Sequence, residues 1–192
     1  MNNVRRLAVY CGSASGSRPV FAECARATAR AMVDAGVDLV YGGGRLGLMG
    51  LIADSMLELG GRVYGVIPQA LVDIEVAHPS LTELDIVANM HERKARMTDL
   101  ADAFLALPGG IGTLDELFEA WSWNALGYHA KPFCLLNVEG FWGGLIEFMD
   151  HATKSGFLSQ QRRAQLLVAD TPGEALKLLD EAAAAATQGM VW

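Results

Sequence analysis

Residues 108–116 carry the groups best suited to chemistry in this chain, three glycines and a threonine followed by two carboxylates in the order PGGIGTLDE. An apolar run of strand length precedes them at residues 102–107, and apolar residues recur at helical spacing after them. The pattern predicts a glycine loop between the carboxyl end of a strand and the start of a helix. Backbone N–H groups at such a helix start favour an anion such as phosphate. A carboxylate beside that anion could act on the bound molecule.

Arg93 is a second group suited to chemistry, because helical periodicity places it on an apolar stripe. In the helix predicted at residues 90–100, Arg93 lies between Met97 and Leu100. An unpaired buried charge costs several kcal/mol. We therefore expect Arg93 to face either a fixed carboxylate or an anionic ligand.

The starts of two predicted helices show capping patterns, which offer a structural alternative to catalysis. Asn89 followed by Glu92 predicts an N-cap and its partner, and Thr113 followed by Glu116 repeats this spacing. Arg96 is expected to pair with Glu92 one turn earlier. Glu116 is thus predicted to cap its helix, to catalyse, or to do both.

Two more glycine-rich segments follow the first two predicted strands. Residues 42–47 match the pattern GxGxxG. They follow the second strand, however, and the next strand ends without the acidic residue that would bind a ribose hydroxyl, so we reject a dinucleotide site. Successive glycines still let a ligand approach the backbone, which makes Gly43 a candidate contact, with a tight turn as the equal alternative. In residues 12–17, we favour Ser17 as an N-cap and keep Ser13 as a candidate ligand contact.

Short apolar runs alternate with longer helical patterns along the chain. Strands are expected at residues 6–11, 38–41, 62–67, 84–87, 103–107, 133–136 and 166–168, and helices at 19–35, 49–59, 90–100, 113–126, 141–154 and 172–186. This alternation predicts an α/β fold, a Rossmann-like doubly wound parallel sheet in three α/β/α layers. No linker divides the chain, so residues 1–192 are expected to form a single domain.

Composition excludes several function classes. The net charge of −7 argues against nucleic-acid binding, which needs clustered lysine and arginine. No apolar stretch approaches the ~20 residues of a membrane span, and the first apolar run is too short for a signal peptide. We therefore expect a cytoplasmic protein with neither nucleic acid nor membrane as a partner. The three cysteines lack metal-ligand spacing, so no metal and no cofactor is expected.

The pattern PGG-x-GT-x-x-E at residues 108–116, with MHERKARM at 90–97 and YGGG at 41–44, resembles the LOG family of cytokinin riboside 5′-monophosphate phosphoribohydrolases, long misannotated as lysine decarboxylases. The joint pattern is far more specific than GxGxxG. The resemblance implies hydrolysis of the N-glycosidic bond of AMP, or of its N6-substituted cytokinin form, to the free base and ribose 5-phosphate. It implies that the substrate is a nucleoside 5′-monophosphate.

The resemblance also implies roles for individual residues. Arg93 and Glu116 match the catalytic pair, and Lys94 adjoins this arginine in the nucleotide-binding pair. By chain position alone, Glu75 and Ser122 are candidate nucleotide contacts. The phosphate loop matches Gly109, Gly110, Ile111, Gly112 and Thr113. Ile111 stands where many relatives carry tyrosine, and Asp115 where they often carry glutamate.

Several alternatives stay open at this point. Glycosidic cleavage passes through an oxocarbenium-like state, so Glu116 could stabilise positive charge, hold ribose hydroxyls or orient water. Arg93 could bind phosphate or base, or polarise Glu116. An AMP nucleosidase of purine metabolism and a non-catalytic nucleotide- or molybdenum-cofactor-binding module are the competing functions.

A homodimer is the expected assembly. Helical spacing places Glu116 away from the apolar stripe of its helix, on the face of Trp123. Trp123, together with Trp121, would then leave apolar surface beside the site.

Overall fold

The computed structural model describes residues 3–74 and 76–188. Its centre is a seven-stranded sheet with the strand order β4-β3-β2-β1-β5-β6-β7, in which every neighbouring pair is parallel. The strands are β1 (Arg6–Tyr10), β2 (Asp38–Tyr41), β3 (Val63–Pro68), β4 (Glu83–Val87), β5 (Ala103–Ala106), β6 (Phe133–Leu136) and β7 (Leu166–Ala169).

Helices cover both faces of this sheet. They are α1 (Pro19–Asp34), α2 (Gly47–Glu58), α3 (Gln69–Val72), α4 (Met90–Leu100), α5 (Ile111–Ala125), α6 (Gly143–Lys154), α7 (Gln160–Gln165) and α8 (Pro172–Gln188), with a 3₁₀ turn at Val138–Gly140. One core packs α1, α2 and α8 against the sheet, and the other packs α4, α5 and α6. The predicted three-layer, doubly wound α/β fold is confirmed.

The strands form where short apolar runs can be buried on both sides, as parallel sheets require. In β1, Leu7 and Val9 enter one core while Ala8 and Tyr10 enter the other. The period of two therefore divides an apolar run between two helix layers. The same two-sided burial explains why the predicted strand bounds agree with the structure to within one residue.

The short elements escaped prediction. The helices α3 and α7 span four and six residues, and α7 reads QQRRAQ, with no apolar stripe to reveal it. Helix α5 begins at Ile111 and α2 at Gly47, each two residues before the predicted start. Among residues 3–74 and 76–188, no helix combines the length and the apolar character that crossing a bilayer requires.

The strand order positions the site. From β1 at the centre, the chain builds β2, β3 and β4 on one side, and then returns to place β5 on the other side. The loops after β1 and β5 start side by side, since Tyr10 is in register with Ala106 and the Gly12 N–H donates to the Pro108 carbonyl at 3.1 Å. Such a reversal of strand order opens a crevice at the carboxyl ends of the strands, where open α/β sheets bind ligands.

Candidate active site

A cavity of about 430 Å³ occupies this crevice, within the range of roughly 300–1,000 Å³ that is usual for small-molecule sites. Its polar wall comes from the segments after β1 and β5 and from α4. Its apolar wall comes from the segment after β2, from the end of β3 and from the segment after β3. The lining includes Ser13, Arg93, Thr113 and Glu116 on the first wall, and Leu46, Met49, Ile67, Leu71 and Val76 on the second.

The start of α5 supplies open hydrogen-bond donors to the cavity. Gly110 is its N-cap, and the first helical bond to Gly110 is donated by the N–H of Leu114 at 3.1 Å. The N–H groups of residues 111–113 precede this bond and have no acceptor in the part of the chain that the structure describes. Together with the helix dipole, they form a site for an anion.

The start of α2, which follows the GxGxxG segment, is blocked instead. The N–H groups of Leu48 and Met49 both donate to the carbonyl of Gly12, at 3.0 and 3.3 Å. A phosphate would have to displace this internal acceptor. This internal hydrogen bonding is a second physical reason, besides strand position, to reject a dinucleotide site.

The three glycines of the PGGIG segment have different structural roles. A Cβ on Gly109 would lie 2.1 Å from Oγ1 of Thr113, so this position must be glycine to let the loop pack on the helix. A Cβ on Gly110 or Gly112 would meet nothing within 4 Å. These two glycines therefore leave room where the cavity meets the backbone.

Arg93 and Glu116 meet at the floor of the cavity. Nη1 of Arg93 lies 3.3 Å from Oε1 of Glu116, and both side chains are about nine-tenths buried. The guanidinium also donates from Nε to the Val66 carbonyl and from Nη2 to the Gly42 carbonyl, each at 3.1 Å. The expected carboxylate partner is thus found, and two main-chain acceptors fix the arginine in place.

The close fit between Arg93 and Gly42 leads to a prediction. A Cβ on Gly42 would lie 1.7 Å from Nη2 of Arg93, although this glycine has no positive φ that an alanine would strain. We expect Gly42→Ala to push the guanidinium away from Glu116 and to lower the turnover number of a reaction that depends on this pair by about 10²-fold, the usual cost of a displacement of about 1 Å. Steady-state kinetics measures the loss. Gly173→Ala, which meets nothing within 4 Å, is the matched control, and equal kinetics in both variants would contradict this role of Gly42.

Burial sets the charge of Glu116. Burial is the largest cause that raises the pKa of this carboxyl, Arg93 and Lys94 oppose it, and Asp115 and Glu119 add to it, so that the pKa rises from its ordinary 4.5 to about 7. A carboxyl that titrates near neutrality can exchange protons with water or substrate at physiological pH. Such a pKa is typical of groups that act as acid or base.

This raised pKa predicts a pH-dependent stability. Between pH 4.5 and about 7 the native protein keeps the Glu116 proton, which the unfolded chain has released, so the free energy of unfolding should fall as pH rises through this window, by about 3 kcal/mol in all. The Glu116→Gln variant lacks this contribution. Urea unfolding of both proteins from about pH 4 to about pH 8 should show the wild type losing stability relative to the variant. A difference that stays constant with pH would refute the raised pKa.

The predicted capping role of Thr113 and Glu116 is wrong. Because α5 starts at Ile111, both residues lie inside the first turns of the helix, and Gly110 caps it without a side-chain hydrogen bond. Glu116 also does not point away from the apolar stripe. It shares the buried face of α5 with Thr113, Leu117 and Ala120.

The capping prediction for α4 is confirmed, but the partner predicted for Arg96 is wrong. Oδ1 of Asn89 accepts from the Glu92 N–H at 3.0 Å, and Glu92 accepts from the Asn89 amide and the Ala88 N–H. With Glu92 so engaged, Arg96 pairs with Asp85 of β4 at 2.5 Å. A tertiary contact across elements replaced the local i,i+4 pair.

Several other predicted site residues lie outside this cavity. Gly43 is flanked by the cavity-lining Gly42 and Gly44 but packs against Ile67. Gly109 lies just beyond the rim, Lys94 pairs with carboxylates of α5, and Ser122 lines a separate groove between α5 and α6. Glu75 falls outside the described residues.

The sequence reasoning missed other cavity residues. The apolar wall formed by Leu46, Met49, Ile67, Leu71 and Val76 drew no attention, because single apolar residues near strand ends are read as core. Cys11, just past β1, also lines the cavity. Burial, with Glu116 nearby, raises the pKa of its thiol and keeps it neutral. Proximity to a strand's carboxyl end was the one signal available for these residues.

The chain is similar in sequence to a known protein family and to two plant enzymes. The family model described as "Possible lysine decarboxylase" matches residues 49–179. The cytokinin riboside 5′-monophosphate phosphoribohydrolase LOG of Oryza sativa subsp. japonica is 44% identical over 188 residues, 98% of this chain and 78% of that protein. The cytokinin riboside 5′-monophosphate phosphoribohydrolase LOG2 of Arabidopsis thaliana is 45% identical over 177 residues, 92% of this chain and 83% of that protein.

Among solved structures, the molybdenum cofactor binding protein of the phototrophic bacterium Rippkaea orientalis is similar with a TM-score of 0.68 and 19% identity. The match covers 92% of this chain and 95% of that one. At this identity the likeness concerns the fold alone. The similarity to the plant enzymes, by contrast, includes the segments that build the cavity.

Proposed function

We propose, from the premise that this chain belongs to the LOG family of cytokinin riboside 5′-monophosphate phosphoribohydrolases, that it hydrolyses the N-glycosidic bond of an N6-substituted adenosine 5′-monophosphate to the free base and ribose 5-phosphate. One observation carries the proposal. A buried carboxylate, Glu116, is held by Arg93 in the same cavity as the open N–H groups of residues 111–113. A phosphate on those groups would bring the attached ribose toward Glu116.

The chemistry follows from these positions. As the bond between C1′ of the ribose and the base nitrogen breaks, positive charge develops on the ring, and the negative Glu116 stabilises it. Water attacks C1′ and gives its proton to Glu116, while the departing base takes up a proton from solvent at the nitrogen released. Glu116 then returns its proton to solvent, which completes the cycle. A pKa of about 7 suits a group that must be ionised before water attacks and protonated after it.

Arg93 serves Glu116 in this mechanism. Its guanidinium is already bound to the carbonyls of Val66 and Gly42 and to the carboxylate. These contacts support a role in orienting the carboxylate and keeping its charge, rather than in carrying the phosphate. The N–H groups at the start of α5, with Ser13 and Thr113 nearby, supply phosphate donors without it.

The apolar wall supports a substrate with an apolar N6 substituent. Leu46, Met49, Leu71 and Val76 line the cavity and offer an adenine amino group no side-chain hydrogen bond. Each CH₂ buried against such a wall contributes about 0.8 kcal/mol. This favours a cytokinin nucleotide over AMP, and thereby over an AMP nucleosidase of purine metabolism.

The test is chromatography of the products formed from AMP and from isopentenyladenosine 5′-monophosphate. We expect free base and ribose 5-phosphate from both, with kcat/KM at least about 10-fold higher for the prenylated nucleotide, because about two buried methylene groups suffice for that ratio. A preference for AMP would favour the purine nucleosidase. Nucleotide binding without any base release would favour a carrier module and contradict the proposed function.

We propose further that the protein is a homodimer. Trp121 does not support this, since it is buried against Phe133. Trp123 does: it is half-buried against Tyr128, and Tyr128 and Leu126 are exposed at the same end of α5. Sedimentation at micromolar concentration should give twice the monomer mass, and a monomer would refute the dimer.

The cytoplasm is the proposed location. Cys11, Cys24 and Cys134 are all buried free thiols, as is usual in a reducing compartment. Cell fractionation that recovers the protein elsewhere would contradict this location.

A further inference from the structure

Lys94 follows Arg93 on α4 but faces a different set of partners. Its Nζ lies 3.0 Å from Oδ2 of Asp115 and 2.6 Å from Oε2 of Glu119, both on α5, and its side chain is 10% exposed. Lys94 does not line the cavity that holds Arg93 and Glu116. Lys94 therefore lies beside the cavity, and its ammonium group is bound to carboxylates rather than exposed to the cavity.

We propose that Lys94 is a positioning residue, whose bridge to Asp115 and Glu119 fixes the rotation of α5 against α4 and so holds Glu116 opposite Arg93. This inference rests on the proposed function, in which Glu116 acts on the substrate. It departs from the nucleotide contact that the resemblance implied for Lys94.

The geometry of α5 gives the bridge its effect. Asp115 and Glu119 are four residues apart and lie on one side of the helix, one turn from each other. A cation bound to both constrains the helix at two points. Glu116 lies between them in the chain, so a turn of α5 about its axis would break the bridge and the pair with Arg93 together.

The charges around Glu116 give the bridge a second effect. Among the described residues, the titratable groups that interact electrostatically with Glu116 are Arg93 and Lys94 from α4, Asp115 and Glu119 from α5, and Tyr10 and Cys11 at the end of β1. Two cations therefore face three carboxylates, which leaves one carboxylate unbalanced. Oε1 of Glu119 is buried and lacks a hydrogen-bond partner among the described residues, so Glu119 depends on Lys94 for its neutralisation.

Lys94→Met tests the inference, because methionine keeps the unbranched side chain to within one atom of its length and removes its charge. We expect KM for the nucleotide to change less than about threefold, kcat to fall about 10- to 100-fold as for other misplaced groups, and the acidic limb of the kcat–pH profile to move to higher pH. Lys177→Met is the control, since the side chain of Lys177 is exposed and pairs with the exposed Glu181. A KM rise of about tenfold or more with unchanged kcat would instead make Lys94 a nucleotide ligand and overturn the inference.

A second variant separates charge from folding defects. Glu119→Gln in the Lys94→Met background removes one unbalanced carboxylate, so the acidic limb should move back toward the wild-type pH. If Lys94→Met does not fold, Glu119→Gln alone should move this limb to lower pH, and an unmoved limb would overturn the inference. Titration of the Glu116 carboxyl by ¹³C NMR in each folded variant reports the same shift without turnover. This titration tests the inference even if the wild type releases no base. Absence of base release would contradict the proposed function but not the inference about Lys94.

Discussion

Glu116→Gln is expected to lower the rate of base release from the nucleotide by at least about 10³-fold, because the amide can neither carry the negative charge that stabilises the oxocarbenium-like state nor accept the proton of water. Glutamine matches the shape of the buried glutamate, so the fold should be unchanged. Chromatography of the released base measures the rate, and circular dichroism checks the fold.

The matched control is Glu147→Gln. Glu147 is exposed on α6, away from the cavity, and its variant should keep wild-type kinetics. Full turnover in Glu116→Gln would remove this carboxylate from the mechanism, since no other carboxylate lines the cavity among the residues described.

Arg93→Ala is expected to lower both activity and stability. The substitution leaves Glu116 and the carbonyls of Gly42 and Val66 without their buried partner. Breaking such an arrangement costs about 3–5 kcal/mol of unfolding free energy, and kcat should fall by at least about 10³-fold because the carboxylate loses its orientation. Urea unfolding and product chromatography measure the two losses.

Two further variants show whether the loss comes from the unpaired carboxylate. Arg96→Ala, on the same helix but with an arginine side chain 43% exposed, should cost at most about 1 kcal/mol. Arg93→Met with Glu116→Gln removes both charges, and should be more stable than Arg93→Ala. If Arg93→Ala were as stable as Arg96→Ala, the pair would not have the structural weight assigned to it.

The fold was predictable because two-sided burial leaves a strong mark on a sequence. Runs such as those of β1 and β5 contain almost no polar residue, and the helices between them keep a period of 3.6. Arg93 was predictable for the opposite reason. A charge on an apolar stripe breaks the pattern, and the cost of leaving it unpaired required either a carboxylate or an anionic ligand, of which the structure supplies the carboxylate.

The errors arose where tertiary contacts outweighed local preference. Thr113 and Glu116 have the spacing of a capping box, but the glycine loop lets α5 begin two residues earlier, and both side chains turn inward. Arg96 had a favourable local partner in Glu92, yet Asp85 on the neighbouring strand took its place. The apolar wall escaped because it gathers residues from α2, β3 and α3 that only the folded chain brings together.

The Gly12 carbonyl accepts hydrogen bonds from two N–H groups at the start of α2, and these bonds do more than keep a phosphate from that helix. They also separate a part of the cavity that should tolerate substitution from a part that should not. Gly12 binds Leu48, Met49 and Pro108 at once, and Gly109 packs on Thr113. The half of the cavity built from these segments is therefore a single interlocked unit in which one altered loop would disturb the others. Redesign of substrate range should target Leu46, Leu71 and Val76, whose side chains border the cavity outside that unit. Substitutions at these three positions should change the substrate range more than the turnover number.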